Sequence, residues 1–507
     1  VSQANHSRLL GRLARGTGVN LAGDFIGKIL GLGFISLIAR FLTDQELGQY
    51  FLGLTVIRLL NVGSLLGLEQ GLRRFVARFK ARGDEPRVRG TVRFATMVAV
   101  SLSGTLACVL FFGADAIAEK FLHKPEMAQT LRWYAFALPT LTFSSLMIAA
   151  AQGLQVMRLK VYVRDLMEPT LRFVVAGGCF FLGMPLFGAI GSQVVALWVA
   201  AILAYWLLGQ LFERPFFGAS TAPGKELLLF SLPLSLSAFV AYLLGWMDTL
   251  MLGAMAPIET VGSYNLAHRV VVIGTAFLGA TNGIFGPMIA HLYAEGREQE
   301  LENVFKTTTK WVITASLPIY VLMIIYPEVI LTFFGREHAG AATCLAILAV
   351  GHIVHAGTGS VGQMNTMAGR SYLVLFNNVA TLLVNLPLNL LLIPRYGVQG
   401  AATATAISLV AINLLRMAEL WYFDRIHAYR WAHLKPVLAV GAASLVSVAL
   451  CKLLPILETN LLIFIVPVAV FFATYVAAIY FLGLDPDDQW VVERLQNRFQ
   501  RLWPTTR

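Results

Sequence analysis

The run Leu47-Gly48-Gln49-Tyr50-Phe51-Leu52-Gly53-Leu54-Thr55-Val56-Ile57-Arg58-Leu59-Leu60-Asn61-Val62-Gly63-Ser64-Leu65-Leu66-Gly67-Leu68 decides the fold. It holds one formal charge, Arg58, near its middle. At about 1.5 Å of rise per residue, a helix of this length covers the roughly 30 Å hydrocarbon core of a bilayer. Similar runs extend in both directions. Fourteen spans are expected, at 19–41, 47–68, 94–113, 131–152, 166–184, 187–211, 227–253, 261–285, 308–331, 340–364, 372–393, 397–421, 434–455 and 460–483. Their length excludes the alternating ten-residue strands of an outer-membrane barrel. Over all 507 residues, apolar types make up 57% and charged types 13%, with a mean hydropathy of +0.69. Soluble domains carry about 25% charged residues. A soluble enzyme is therefore excluded, and the chain reads as an all-α polytopic membrane protein.

The net charge of +11 would suggest nucleic acid in a soluble chain, but its distribution follows membrane topology. With both termini cytoplasmic, the inner segments and the span ends bordering them hold 28 Lys and Arg residues, and the outer loops and their borders seven. Four cations are left away from the span borders, within the membrane: Lys28, Arg58, Arg172 and Arg269. Arg8, Arg12 and Arg15 precede the first apolar run, but Asp24 and Lys28 interrupt it, so it reads as a retained helix and not as a signal-peptide core. Cys108, Cys179, Cys344 and Cys451 all lie in apolar runs without a CxxC pair, which argues against a disulfide framework or a thiolate zinc site.

The sequence also resembles itself. Leu47-Gly48-Gln49-Tyr50 is echoed 214 residues later by Val261-Gly262-Ser263-Tyr264. Ala81-Arg82-Gly83 matches Ala294-Glu295-Gly296, and Gly188-Ala189-Ile190-Gly191 matches Gly397-Val398-Gln399-Gly400. Six spans separate the copies. An even number makes the repeat parallel, with a pseudo-two-fold axis along the membrane normal. The expected organisation is an N-terminal lobe at 1–212 (helices 1–6), a C-terminal lobe at 213–425 (helices 7–12), two extra helices at 426–484 and a cytoplasmic interfacial helix at 485–507. In that last segment Val491, Leu495, Phe499 and Leu502 share one face, with Arg494, Arg498 and Arg501 around it.

Several motifs carry a family resemblance. Arg40-Phe41-Leu42, Gly48-Gln49-Tyr50, Trp246-Met247-Asp248-Thr249-Leu250-Met251-Leu252-Gly253, Val261-Gly262-Ser263-Tyr264-Asn265-Leu266-Ala267 and Gly397-Val398-Gln399-Gly400-Ala401-Ala402 are similar to the polysaccharide-exporter branch of the multidrug/oligosaccharidyl-lipid/polysaccharide (MOP) transporter superfamily. The resemblance covers essentially the whole chain. It implies two six-helix lobes that rock to give alternating access. In the lipid-flipping branches, helices one, two and eight carry cavity cations, which implies that role for Lys28, Arg58 and Arg269.

The residues themselves point the same way. A Lys or Arg at the bilayer centre costs about 2.5–3.5 kcal/mol and usually faces a polar cavity or a partner. Arg58 continues through Asn61 and Leu65 to Glu69 on one helical face, a polar stripe suited to a cavity wall. Pairing with an acid on a neighbouring helix is the alternative. Lys28 has Asp24 four residues earlier, which either forms a local bridge or positions the ammonium for an anion. Arg269, five residues past Tyr264, holds nearly the depth and lobe position in span eight that Arg58 holds in span two, with Asn265 and His268 close by in sequence. The substrate-binding candidates are thus Lys28, Arg58, Arg269, Asp24, Asn265 and His268, and the candidates for ion coupling are Asp24 and Asp248.

Other features have plainer readings. Arg172 follows Glu168 by four residues and reads as a satisfied cation. Asp248 either binds a coupling cation or caps a helix end. His352 and His355 share a face but lack a carboxylate, so no metal site is expected. Gly63, Gly67 and Gly71 suit close helix packing. Asn377, Asn378, Asn385 and Asn389 make span eleven polar, suiting hydrogen bonds between helices or to a sugar. Eight cations between Arg73 and Arg93 satisfy topology and attract anionic lipids.

The expected function is a flippase that moves a polyprenyl-pyrophosphate-linked oligosaccharide from the cytoplasmic to the outer leaflet. An ion-coupled exporter of cationic small molecules is the alternative, and it would want the opposite charge balance in its cavity. A membrane glycosyltransferase or polymerase would need a large loop with catalytic carboxylates, whereas the longest outer segment, 113–130, is short. No enzymatic activity, cofactor, metal or nucleic acid is expected. The expected partners are the lipid-linked glycan, anionic lipids and a polysaccharide polymerase, with the chain monomeric in a bacterial cytoplasmic (inner) membrane.

Overall fold

The computed structural model describes residues 23, 26–211, 223–335, 341–453, 464–483, 485 and 488–489. Among them all regular structure is helical. Six helices are individually long and apolar enough to cross a membrane, and nine spans result if each of three bent pairs counts as one. Helix also occupies the remaining expected positions: 26–41, Glu168–Phe181, Ile258–Val272 followed by Ala276–Ala294, and Ile465–Phe481. Ser371–Asp424 carries the eleventh and twelfth expected spans, broken at Gly397 (φ 55°, ψ −126°). The chain is an all-α polytopic membrane protein. Asp24 and, apart from 485, 488 and 489, the expected C-terminal interfacial helix lie outside the described residues.

Local signals set several helix starts. Thr43 caps Asp44–Leu65: the Glu46 amide donates to its hydroxyl at 3.3 Å, and its own amide donates to the Glu46 carboxylate at 2.9 Å. Asp84 caps Glu85–Phe112 by accepting from the Arg87 amide at 3.1 Å. Within the spans, Thr and Ser hydroxyls are returned to the backbone, as when Thr55 donates to the Phe51 carbonyl at 2.8 Å.

Span two differs from the straight run expected over 47–68. It ends at Leu65, bends by 44° and resumes as Leu68–Ala81. Leu66 and Gly67 adopt φ of 48° and 71°, which ends the first helix. A side chain at Gly67 would also strike the Ser231 carbonyl of span seven, so the glycine serves the turn and the close approach together. Span four bends by 42° between Ala135 and Leu138, and span ten by 47° between Gly357 and Val361.

Packing divides the chain into two compact units, Val1–Leu266 and Ala267–Arg507. The lobes expected from the sequence are defined by the repeat; span seven, Gly224–Met255, packs on both halves of span two and is counted with the first unit by contact. In that unit Leu68, Leu72 and Val76 meet Ala149, Ala150 and Ala151 of span four and Val88, Val92 and Ala95 of span three. Small residues let these backbones approach. In the second unit, Phe285 and Phe305 lie in one core and Ala439, Ala443, Phe471 and Tyr475 in another. Large apolar side chains face outward, Phe181 and Leu445 among them, as lipid solvation allows.

Candidate functional site

The first unit contains a cavity of about 480 Å³. Span one supplies Lys28, and span two supplies Arg58, Asn61, Leu65 and Glu69. The last residue lies beyond the bend yet stays on the lining face. A π-helical turn, Val161–Met167, leads into span five and presents Arg164 and Asp165 to the same space as Glu168 and Arg172. Such a widened turn resets which residues share a face, and π turns are frequent at functional sites. Tyr242 and Trp246 of span seven complete the wall.

Four cations, Lys28, Arg58, Arg164 and Arg172, face three acids, Glu69, Asp165 and Glu168. Two of the acids are engaged. Arg172 stands 3.7 Å from Glu168 and donates to the Gln193 amide oxygen at 3.1 Å, while its guanidinium lies 5.4 Å over the Phe34 ring. Asp165 lies 3.4 Å from Lys160. Arg58 differs: its charge is drawn to Glu168 and repelled by Arg164 and Arg172, and among the described residues no carboxylate comes within ion-pair distance of it. The Tyr242 hydroxyl donates to the Thr55 carbonyl at 2.8 Å, and its ring stacks on Trp246 with centroids 6.1 Å apart. The cavity thus combines a guanidinium fork suited to a multi-oxygen anion with an aromatic face suited to the apolar side of a sugar ring.

The structure therefore brings Lys28 and Arg58 to one cavity. Arg172 is tied to Glu168 and Gln193. Asn265 lies elsewhere in the first unit, buried, with its amide donating to Thr249 at 3.2 Å and to the Val261 carbonyl at 2.9 Å. Asp248 is buried and accepts from the Tyr264 hydroxyl at 2.8 Å. His268 and Arg269 are half-buried in the second unit. There His355 meets the Asn413 amide oxygen at 3.2 Å, and no group of three His, Cys, Asp or Glu residues able to hold a metal occurs among the described residues.

Sequence reasoning missed Arg164, Asp165, Tyr242 and Trp246. Arg164 counts in the sequence as a loop cation, and nothing local marks the π turn that carries it. Tyr242 and Trp246 stand four residues apart on one helical face, a spacing that was available to be read.

Comparison with known proteins places these features in context. A family model described as "Polysaccharide biosynthesis protein" matches residues 13–293, and the MatE model matches 233–391. The chain is similar to a probable low-salt glycan biosynthesis flippase, Agl15, of Haloferax volcanii (23% identity, covering 79% of this chain and 82% of that protein). It is also similar to the stage V sporulation protein B of Bacillus subtilis (22% identity, 80% and 83% covered). Among solved structures, an inward-facing MATE family multidrug transporter of the MOP superfamily superimposes with a TM-score of 0.68 at 15% identity, covering 81% of this chain and 98% of that one. The lipid II flippase MurJ in an inward closed conformation gives a TM-score of 0.67 at 13% identity, covering 90% and 97%. At these identities the superpositions establish a shared fold.

Proposed function

The chain belongs to the polysaccharide biosynthesis protein family, and from that premise we propose that it is a flippase for a polyprenyl-pyrophosphate-linked oligosaccharide. The observation that carries this reading is Arg58, a cation on the wall of a cavity within an apolar helix, with no carboxylate at ion-pair distance among the described residues. Holding such a charge in a membrane is offset when an anion meets it. Lys28, Arg58 and Arg164 would bind the diphosphate, and Tyr242 with Trp246 would receive the first sugar. Arg172 would position Glu168 and hold the wall in place.

Transport of this kind breaks no bond. The cavity acids support that view, since Asp165 and Glu168 are occupied by Lys160 and Arg172 and are not poised as an acid and base pair. The reading includes alternating access by rocking of the lobes 1–212 and 213–425, both termini cytoplasmic, and residence in a cytoplasmic membrane. Kinship with bacterial and archaeal relatives supports that location in general terms.

A second reading, an ion-coupled exporter of cationic small molecules, has the MatE match in its favour. The cavity's excess of cations weighs against it, because a cationic cargo would be repelled. The deciding experiment is purified protein in proteoliposomes loaded with a polyprenyl-pyrophosphate oligosaccharide, with outer-leaflet glycan read by lectin access. Movement of intact glycan lipid is expected. Efflux of a cationic dye without glycan movement would overturn the reading, and so would consumption of the glycan lipid.

A further inference from the structure

Glu168 stands where the π turn Val161–Met167 passes into the α-helix Glu168–Phe181, and it lines the same cavity as Arg58 of span two. Its carboxylate is held on one side only. Oε1 lies 3.7 Å from the Arg172 guanidinium and accepts from the Gln193 amide nitrogen at 3.5 Å, and no hydrogen bond reaches Oε2 among the described residues. Both contacts are long, since charge-assisted bonds usually measure about 2.7–2.9 Å.

Arg172 does not depend on that carboxylate. Its guanidinium donates to the Gln193 amide oxygen at 3.1 Å and to the Glu168 backbone carbonyl at 3.4 Å, and it lies over the Phe34 ring. Gln193 is 1% exposed, and its amide oxygen also accepts from the Tyr50 hydroxyl at 3.5 Å, which keeps that acceptor in place. Arg172 would keep these contacts if the carboxylate moved. Arg58 is in the opposite position: no carboxylate among the described residues stands at ion-pair distance, and the strongest attraction on it comes from Glu168.

We propose that Glu168 is a built-in competitor of the cargo for Arg58, crossing from Arg172 to Arg58 as the cargo leaves. This rests on the reading of the cavity as an anion site and adds a release step to it. In the structure Glu168 is drawn aside towards Arg172, which is the arrangement that receives an anion at Arg58. A cation cluster that binds an anion tightly also retains it, and an emptied cluster carries an uncompensated charge inside the membrane. A tethered carboxylate meets both difficulties. It displaces the diphosphate from one guanidinium and then neutralises that guanidinium during the return. One anion replaces another, so no bond breaks and no proton is required. The other cavity acids suit this less, because Asp165 is tied to Lys160 at 3.4 Å and Glu69 lies beyond the bend at Leu66 and Gly67.

The test measures binding of inorganic pyrophosphate to the purified full-length chain in detergent by calorimetry, together with export of the glycan lipid in proteoliposomes. Glu168→Gln should bind pyrophosphate several-fold more tightly than wild type. At saturating glycan lipid it should export several-fold more slowly, with a lower half-saturating concentration. In an Arg58→Gln background the gain in affinity should vanish, because no guanidinium is left to contest. Glu168→Asp keeps the charge but shortens its reach, so it should tighten binding to a smaller degree, and it decides the question if Glu168→Gln fails to fold. An equal gain in both backgrounds would reduce Glu168 to general repulsion and overturn the inference. Unchanged or weaker binding, or tighter binding with undiminished export, would overturn it as well. Pyrophosphate binding absent from wild type and Glu168→Gln alike would overturn the anion-site reading itself, and this inference with it.

Discussion

Gly48 and Gly262, the glycines of the two repeated motifs, close on one another where spans two and eight cross. A methyl group on Gly262 would stand 3.0 Å from the Gly48 amide nitrogen and 2.5 Å from the Asp44 carbonyl, and one on Gly48 would collide with the Ile258 carbonyl. The repeat thus has a physical reason at this position: both backbones need a bare Cα for the helices to meet.

Substitution at this crossing is expected to separate the helix ends. Gly48→Leu and Gly262→Leu should each destabilise the folded protein by about 1–3 kcal/mol, the usual range for overpacking a close contact. Thermal unfolding in detergent checks this. Cysteines at Asp44 and Ser263, joined by a short bifunctional thiol reagent, should stop glycan export, because alternating access would require this crossing to open. Undiminished export in the crosslinked protein would contradict that mechanism.

Arg58→Ala should abolish export while membrane abundance stays near wild type, since no carboxylate among the described residues stands at ion-pair distance from Arg58. Arg58→Lys should keep part of the activity if the cargo reads a point charge, and less if it takes the guanidinium fork. Arg164→Ala should weaken the export that Arg58→Lys retains. Arg269, at nearly the depth in span eight that Arg58 has in span two, is expected to be required too. Glycan export in cells, normalised to protein in the membrane fraction, is the measurement.

Asp485 anchors the chain beyond the last span. Burial works against its charge, but bonds from Lys310 at 2.9 Å and Lys435 at 2.6 Å hold its carboxyl below the ordinary value. Lys310 also reaches Asp488 at 2.9 Å. A depressed carboxylate stabilises the fold above the unfolded-state value, near 3.8, and the contribution fades as pH falls through the folded-state value below it. Asp485→Asn should remove that contribution at neutral pH, costing about 1–3 kcal/mol as charge-assisted hydrogen bonds do. The unfolding midpoint of the variant should then be flatter than the wild type's as pH is lowered below 4.

Export of a diphosphate is expected to be electrogenic. An outward-moving negative charge gains about 2.3 kcal/mol per elementary charge per 100 mV of inside-negative potential. Proteoliposomes with a potassium-diffusion potential and no sodium or proton gradient should therefore export faster as the inside becomes more negative. Indifference to the potential, with a response to an imposed sodium or proton gradient, would assign the driving force to ion coupling.

The sequence by itself determined where helices form and which face of span two is polar. Those features follow from composition and the 3.6-residue period, which act over a few neighbouring residues. Arg58, Asn61, Leu65 and Glu69 were legible as one stripe for that reason, and all four line the cavity. The pairing of Arg172 with Glu168 was legible too, since the two stand four residues apart on one helix; tertiary structure decided what else the intramembrane cations meet. Arg172 meets Gln193, 21 residues away, and Arg58 meets no carboxylate among the described residues, although both sit in apolar helices. It also decided the bend at Leu66 and Gly67, where contact with span seven leaves room for a backbone but not for a side chain, and the π turn that brings Arg164 and Asp165 to the site. Glu419 shows the same limit, since its hydrogen bonds to Asn365 and Asn377 span 54 and 42 residues. Partners at such separations are chosen by how helices pack, and a local pattern holds no record of that choice.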